Sequence, residues 1–187
     1  MRATINIPKV LFFANIPLEN EERSIGGATV LAKKIMDYLS TDNRIKFTHV
    51  QIRSFWRNKL QLLDYAIWAF KFPFYLRNVD VVSFHGTKDF HFTIAPLLWV
   101  WARLFKKKVC YHFFGGNFHE QYEAFSGFSK YLLRKTILNS DTIFFETLEM
   151  IKYFERQNIQ NIVWLPNSRE ATANVVARRA FRKKFVF

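Results

Sequence analysis

Short apolar runs of strand length recur along this chain, and a segment of helical periodicity separates each from the next. The runs lie at residues 9–14, 47–52, 79–84, 109–114, 141–146 and 161–165. Between them, apolar side chains recur at helical spacing over 28–39, 60–76, 92–105, 128–139 and 148–156. Thr41-Asp42-Asn43 closes the first helix, Pro73 bends or ends the second, and Pro96 falls early enough in the third to sit in its first turn. A polar, aromatic loop is expected between residue 115 and the helix at 128. Strand and helix in strict alternation imply right-handed crossovers and a mainly parallel, doubly wound α/β sheet. The runs VLFFA, DVVSF, KVCYHFF and TIFF are almost continuously apolar, as strands covered on both faces must be.

The 187 residues make one domain able to bury a real core. Residues 1–168 form that domain in this reading. Residues 169–187 carry six basic residues and one acidic one and read as a linker. The last four, Lys184-Phe185-Val186-Phe187, look like the start of a strand in a second domain. No apolar run reaches the ~20 residues of a membrane span; the best, 92–105, contains Arg103 and ends in Lys106-Lys107-Lys108. The first residues lack a signal-type apolar region, so a cytoplasmic protein is expected, soluble or peripheral at the inner face of the membrane. The single Cys110 lies within a strand and reads as a buried structural thiol.

The net charge of +13 attracts phosphate-bearing partners, whether nucleic acid, anionic membrane or a nucleotide-linked substrate. Much of that charge is interleaved with aromatics, at 55–57, 70–77 and 99–108. Such interleaving suits an anionic headgroup layer. The other reading, general for amphipathic helices, makes these rings core residues of helices with charged outer faces. No nucleic-acid motif is visible and no nucleic-acid partner is expected.

In open parallel sheets, ligands bind beyond the carboxyl ends of the strands. The polar and glycine residues expected there are Gly26 and Gly27 after the first strand and His85, Gly86 and Thr87 after the third. Gly115, Gly116, Asn117, Phe118 and His119 follow the fourth, and Glu146 and Thr147 the fifth. Gly26-Gly27 precedes a helix, where exposed amides favour a pyrophosphate. The spacing is not G-x-G-x-x-G, which argues against a dehydrogenase. His85 should point into the crevice as a hydroxyl ligand or base; His119, beside Glu120, is a second base candidate. His112, inside a strand, reads as buried and hydrogen-bonded, while His49 and His91 have no distinguishing context. The histidines have no metal-ligand spacing, so no metal is expected.

These landmarks, in this order, resemble the N-terminal domain of retaining GT-B glycosyltransferases of the family 4 kind. The matching segments are residues 9–14 with Gly26-Gly27-Ala28, then Asp80-Val81-Val82-Ser83-Phe84-His85, Phe114-Gly115-Gly116-Asn117-Phe118 and Leu165-Pro166-Asn167. The chain departs from the family pattern at Phe114, where many members carry histidine, and at Ser168, where glycine is common. The resemblance implies sugar transfer from a nucleotide sugar to a glycan or lipid-linked acceptor, with retention and no cofactor, as in cell-surface polysaccharide assembly. It also implies donor phosphates against Gly26 and Gly27, while His85 and His119 remain the catalytic candidates by their positions at the strand ends. The acceptor would lie along Gly86, Thr87, Gly115, Gly116, Asn117, Phe118, Glu146 and Thr147. The nucleotide sugar would bind mainly through a second domain, so this chain alone would be inactive. Two other readings stand beside it: a free-standing basic module for nucleic acid or anionic membrane, and another two-domain transferase or epimerase of GT-B arrangement.

Overall fold

The first strand, β1 (Lys9–Ala14), is apolar on both faces and lies inside the sheet, hydrogen-bonded to β2 (Lys46–Gln51) and to β3 (Val81–Gly86). A computed structural model describes residues 7–17, 26–52 and 58–167. The linker 169–187, the loop 19–24 and the aromatic-basic run 55–57 lie outside the described residues. Beyond β3 come β4 (Lys108–Phe113), β5 (Thr142–Phe145) and β6 (Ile162–Trp164). All pairings are parallel, in the order β2-β1-β3-β4-β5-β6, which makes a Rossmann-like α/β sheet. The chain steps outward from β1 to β2, returns past β1 to β3, and then moves steadily to β6. The winding therefore reverses between β1 and β3.

Right-handed crossovers turn that winding into an unequal division of helices. Only the β1–β2 connection runs in its direction, so α1 (Gly27–Ser40) stands apart. Its Leu31 and Ala32 meet Phe12, Ala14 and Phe114 on one face of the sheet. The opposite face, carrying Leu11, Phe13, Phe84, Tyr111, Phe113 and Phe145, is covered by α2 (Asn58–Leu76) and all later helices. This second layer is largely phenylalanine. Phe13, Phe72, Phe84 and Phe90 form one group of neighbouring rings, and Phe113, Phe118, Phe145 and Phe154 another. Among the described residues, helices cover both faces of the sheet only near β1. Among the described residues no helix covers Cys110, Thr142 and Phe144 on the α1 side, and they are half-buried. Burial raises the Cys110 thiol pKa, in keeping with a structural thiol.

Several boundaries differ from those expected. Residues 92–105 are not one helix but α3 (Lys88–Phe92) and α4 (Ala95–Leu104). Pro96 explains the break: it has no N–H to give the Phe92 carbonyl, and its ring would strike it. Pro73 does not end α2, which continues to Leu76. The loop after β4 contains α5 (Phe118–Glu123), because Phe118 and Tyr122, one turn apart, are both buried. Residues 128–139 divide into α6 (Gly127–Lys135) and a 3-10 turn, Ile137–Asn139. The Thr136 hydroxyl donates to Leu132 O at the division. Finally α7 (Leu148–Arg156) lies where expected.

Candidate functional site

The reversal of winding between β1 and β3 opens a cleft of about 90 Å³ at their carboxyl ends. Asn15, Ala28, Thr29, His85, Gly86, Thr87, Asp89 and Phe114 are among its walls. The amino end of α1 enters this cleft through Ala28 and Thr29. Gly26 caps it: its N–H donates to Thr29 Oγ1 (2.9 Å), and that hydroxyl donates to Gly26 O (2.8 Å). No acidic residue lies in the first turn, whose amides point out of the helix. Gly26 has an ordinary extended backbone, and a Cβ on Gly27 would touch nothing within 4 Å. Neither backbone strain nor packing among the described residues requires this glycine pair. What the pair supplies is open space beside the helix amides.

Gly86, by contrast, is required by packing. A Cβ there would overlap the Phe90 ring, which is itself core. Gly86→Ala is expected to cost about 1–3 kcal/mol, the usual range for overpacking, and to crowd the cleft. Urea unfolding would check this; an unchanged midpoint would contradict the packing.

His85 lines the cleft, as expected, although little of it is exposed there. The third strand runs on through Gly86, so alternation turns His85 onto the sheet face, where its ring lies 4.0 Å from Phe12. It is 4% exposed. Its Nε2 meets Ser83 Oγ at 2.8 Å and its Nδ1 meets His112 Nδ1 at 3.3 Å. His112 is fully buried, and its Nε2 has no hydrogen-bond partner among the described residues but faces Glu146 Oε1 at 4.0 Å. Burial lowers the His85 pKa well below the usual value and brings His112 to about 3, so both rings are neutral. An N–H on His112 Nε2, facing the carboxylate, leaves its Nδ1 as acceptor. His85 Nδ1–H then donates to it, and His85 Nε2 accepts from the Ser83 hydroxyl. Both His85 nitrogens are thereby engaged by protein, which does not suit a base exchanging protons with a bound ligand.

The second cluster stands beyond β4 and β5. Gly115 adopts φ +98°, a conformation that only glycine holds without strain, and its N–H donates to Glu146 Oε2 (3.1 Å). A Cβ on Gly116 would press on Thr147 Cγ2 at 3.1 Å. Thr147 caps α7 by accepting from Met150 N–H, and Asn117 Oδ1 accepts from Gln121 Nε2. Glu146 is half-buried; desolvation raises its pKa, and the Gly115 amide opposes that rise. Phe114 joins the two clusters: its N–H donates to Gly86 O, and its ring walls the cleft.

Two expected residues lie apart. Phe118 is a core ring, 1% exposed and 4.3 Å from Phe113, and presents no surface to a ligand. His119 sits where α5 meets α7, with Nε2 3.7 Å from Glu149 Oε1 and its ring near Tyr153. The structure adds Asn15, Thr29 and Asp89 to the cleft, and Ser83 and His112 to the network beneath it. Ser83 was findable, as a polar residue two positions before His85 in an otherwise apolar strand. Among the described residues no His, Cys, Asp and Glu group could hold a metal ion.

Fold and site together define a Rossmann-like domain with a cleft at its topological switch point. No protein-family model matches the chain, and no curated protein matches it in sequence. Among solved structures it is similar to LpCGTa in complex with UDP, at 9% identity and a TM-score of 0.45. That match covers 86% of this chain and 53% of the other, so the chain spans about half the length of the structure it matches. A likeness this distant does not reach individual residues.

Proposed function

We propose that this domain forms one wall of a glycosyl-transfer site, taking the phosphates of a nucleotide sugar at α1 and the acceptor beside them. The observation that carries the proposal is the amino end of α1, where Ala28 and Thr29, directly after Gly26-Gly27, line the cleft at the β1/β3 reversal. Among the described residues no lysine or arginine lines the cleft, and Asp89 does, so an anion there would be held by amides and the helix dipole. The ordered motifs from Gly26 to Asn167, which resemble family 4 glycosyltransferases, support the same reading. Gly115, Gly116, Asn117 and Thr147 would border the acceptor. Glu146, with its raised pKa, would accept a hydrogen bond from an acceptor hydroxyl. A second domain would supply the remaining donor contacts, and the acceptor would be a glycan or a lipid-linked sugar of cell-surface polysaccharide assembly.

The reading predicts weak, saturable binding of nucleoside diphosphate sugars by the 187-residue chain, competed by inorganic pyrophosphate, without turnover. Gly27→Asp is the discriminating variant. Its side chain has open space, and a carboxylate in the first turn favours the helix, so folding is preserved. A negative charge beside the phosphates should weaken binding roughly tenfold. Binding unaffected by this change, or steady sugar-nucleotide turnover by the chain alone, would count against the proposal.

A further inference from the structure

The outer surface of the helix layer is apolar where a water-facing surface is ordinarily polar. Along α2, Leu63, Ile67, Phe70 and Phe74 follow at intervals of four, three and four residues, which sets them in one line. That line is exposed, with Phe70 at 79% and Phe74 at 64%, and it runs opposite the buried Tyr65, Phe72 and Leu76. A helix apolar on both sides is the pattern of one covered on both sides. Beside it, α4 repeats the arrangement: Leu97, Val100 and Leu104 are exposed, while Ala95, Leu98 and Ala102 are buried. The expectation that these aromatics are core residues of helices with charged outer faces therefore fails on α2. Two adjacent helices present apolar stripes on one side of the molecule, and such patches mark interaction surfaces.

Charge selects the partner. Residues 65–79 and 90–108 contain no aspartate or glutamate, and Lys71, Arg77, Lys106, Lys107 and Lys108 lie in or beside the stripes. The Arg77 guanidinium sits 5.3 Å over the Phe74 ring, so a cation adjoins an apolar tip. A second copy meeting this face across a two-fold axis would set these cations against each other. A negatively charged bilayer surface accepts both features, rings among the acyl chains and cations among the headgroups. We propose that α2 and α4 form a docking surface for an anionic lipid bilayer, lying flat on it with Phe70, Phe74 and Leu104 inserted. No helix of the described residues is long and apolar enough to cross a membrane. This surface is separate from the cleft, and the proposal does not depend on the sugar-transfer reading.

The test is co-sedimentation of the 187-residue chain with vesicles of equal parts phosphatidylglycerol and phosphatidylcholine, and with pure phosphatidylcholine, at about 0.1 M salt. The anionic vesicles should bind at least ~10-fold more tightly than the neutral ones. Phe70→Asp with Phe74→Asp should weaken that binding ~10-fold or more without lowering the thermal midpoint, since both rings point away from the core. Lys106→Glu with Lys107→Glu should weaken it by a similar factor. Equal binding to both vesicles, or full binding by the phenylalanine double variant, would overturn the proposal. So would a self-association seen by gel filtration that this variant abolishes while vesicles bind neither protein. Sugar-nucleotide binding at the cleft is read separately, so either idea can fail alone.

Discussion

Lowering the pH from 7.5 to 5 is expected to remove roughly 4 kcal/mol of stability through His91 and His112 alone. Both rings are buried in the folded state, with pKa values brought down to about 3 from the usual 6.5. A group depressed in this way binds its proton more readily when unfolded, so acid draws the chain toward the unfolded state. The loss starts as pH falls below about 6.5 and grows until about 3. His85 acts in the same direction, since burial and the neighbouring His112 disfavour its charged form. Among the described residues His91 Nδ1 meets the Tyr111 hydroxyl at 2.8 Å, and the carboxylate that faces His112, Glu146, stands 4.0 Å away. Glu146 opposes the trend, because its pKa is raised on folding and its protonation favours the folded state, but it is one group against three. Net stabilities of such domains run to ~5–15 kcal/mol, so the loss is a large share of the total and should show as a clear fall in the urea midpoint. Urea midpoints at pH 7.5, 6 and 5 measure the slope. His91→Gln should flatten it, and a midpoint unchanged across this range would show that these histidines are not buried neutral.

Phe118→Ala should cost about 3–5 kcal/mol, as large-to-small changes in a closed core do. The ring is 1% exposed and lies among Phe113, Phe145, Tyr122 and Phe154, with stacked geometry against Phe145 and Phe154. It attaches α5 to both β5 and α7, so the cavity left by alanine would have few ways to collapse. Phe118→Leu, which keeps most of the volume, should cost less than half as much. The alternative placed Phe118 among the acceptor-binding residues; in that case alanine would leave the urea midpoint unchanged and weaken ligand binding alone.

The two outcomes for the aromatics show what the sequence could and could not carry. Strand positions were legible because a strand buried on two faces leaves an unbroken apolar run, as VLFFA does, and TIFF is apolar enough to read the same way although its Thr142 and Phe144 are only half-buried. The Gly115 turn was legible because its backbone needs glycine. The exact end of β3 was not: the strand runs two residues further, so His85, while lining the cleft, lies on the sheet face, where Ser83 and His112 engage it. Phe118 sits in the same motif as Gly115 and Gly116, yet pairs with Tyr122 one turn on as a core residue. Periodicity in α2 hid its exposed stripe, since a helix apolar all round gives no sign of which side meets the core. Asn15 and Asp89 joined the cleft through the order of the strands, which no local pattern encodes.

The central claim is that the β1/β3 cleft, lined at the head of α1 by Ala28 and Thr29 directly after Gly26-Gly27, receives the phosphates of a sugar nucleotide. Backbone amide shifts of the isotope-labelled chain during titration with a nucleoside diphosphate sugar test it most directly. The account predicts saturable shifts centred on Gly26, Gly27, Ala28, Gly86 and Thr87, reproduced in part by inorganic pyrophosphate and lost in Gly27→Asp. Shifts confined to the basic outer surfaces of α2 and α4, with these five amides unmoved, would contradict it.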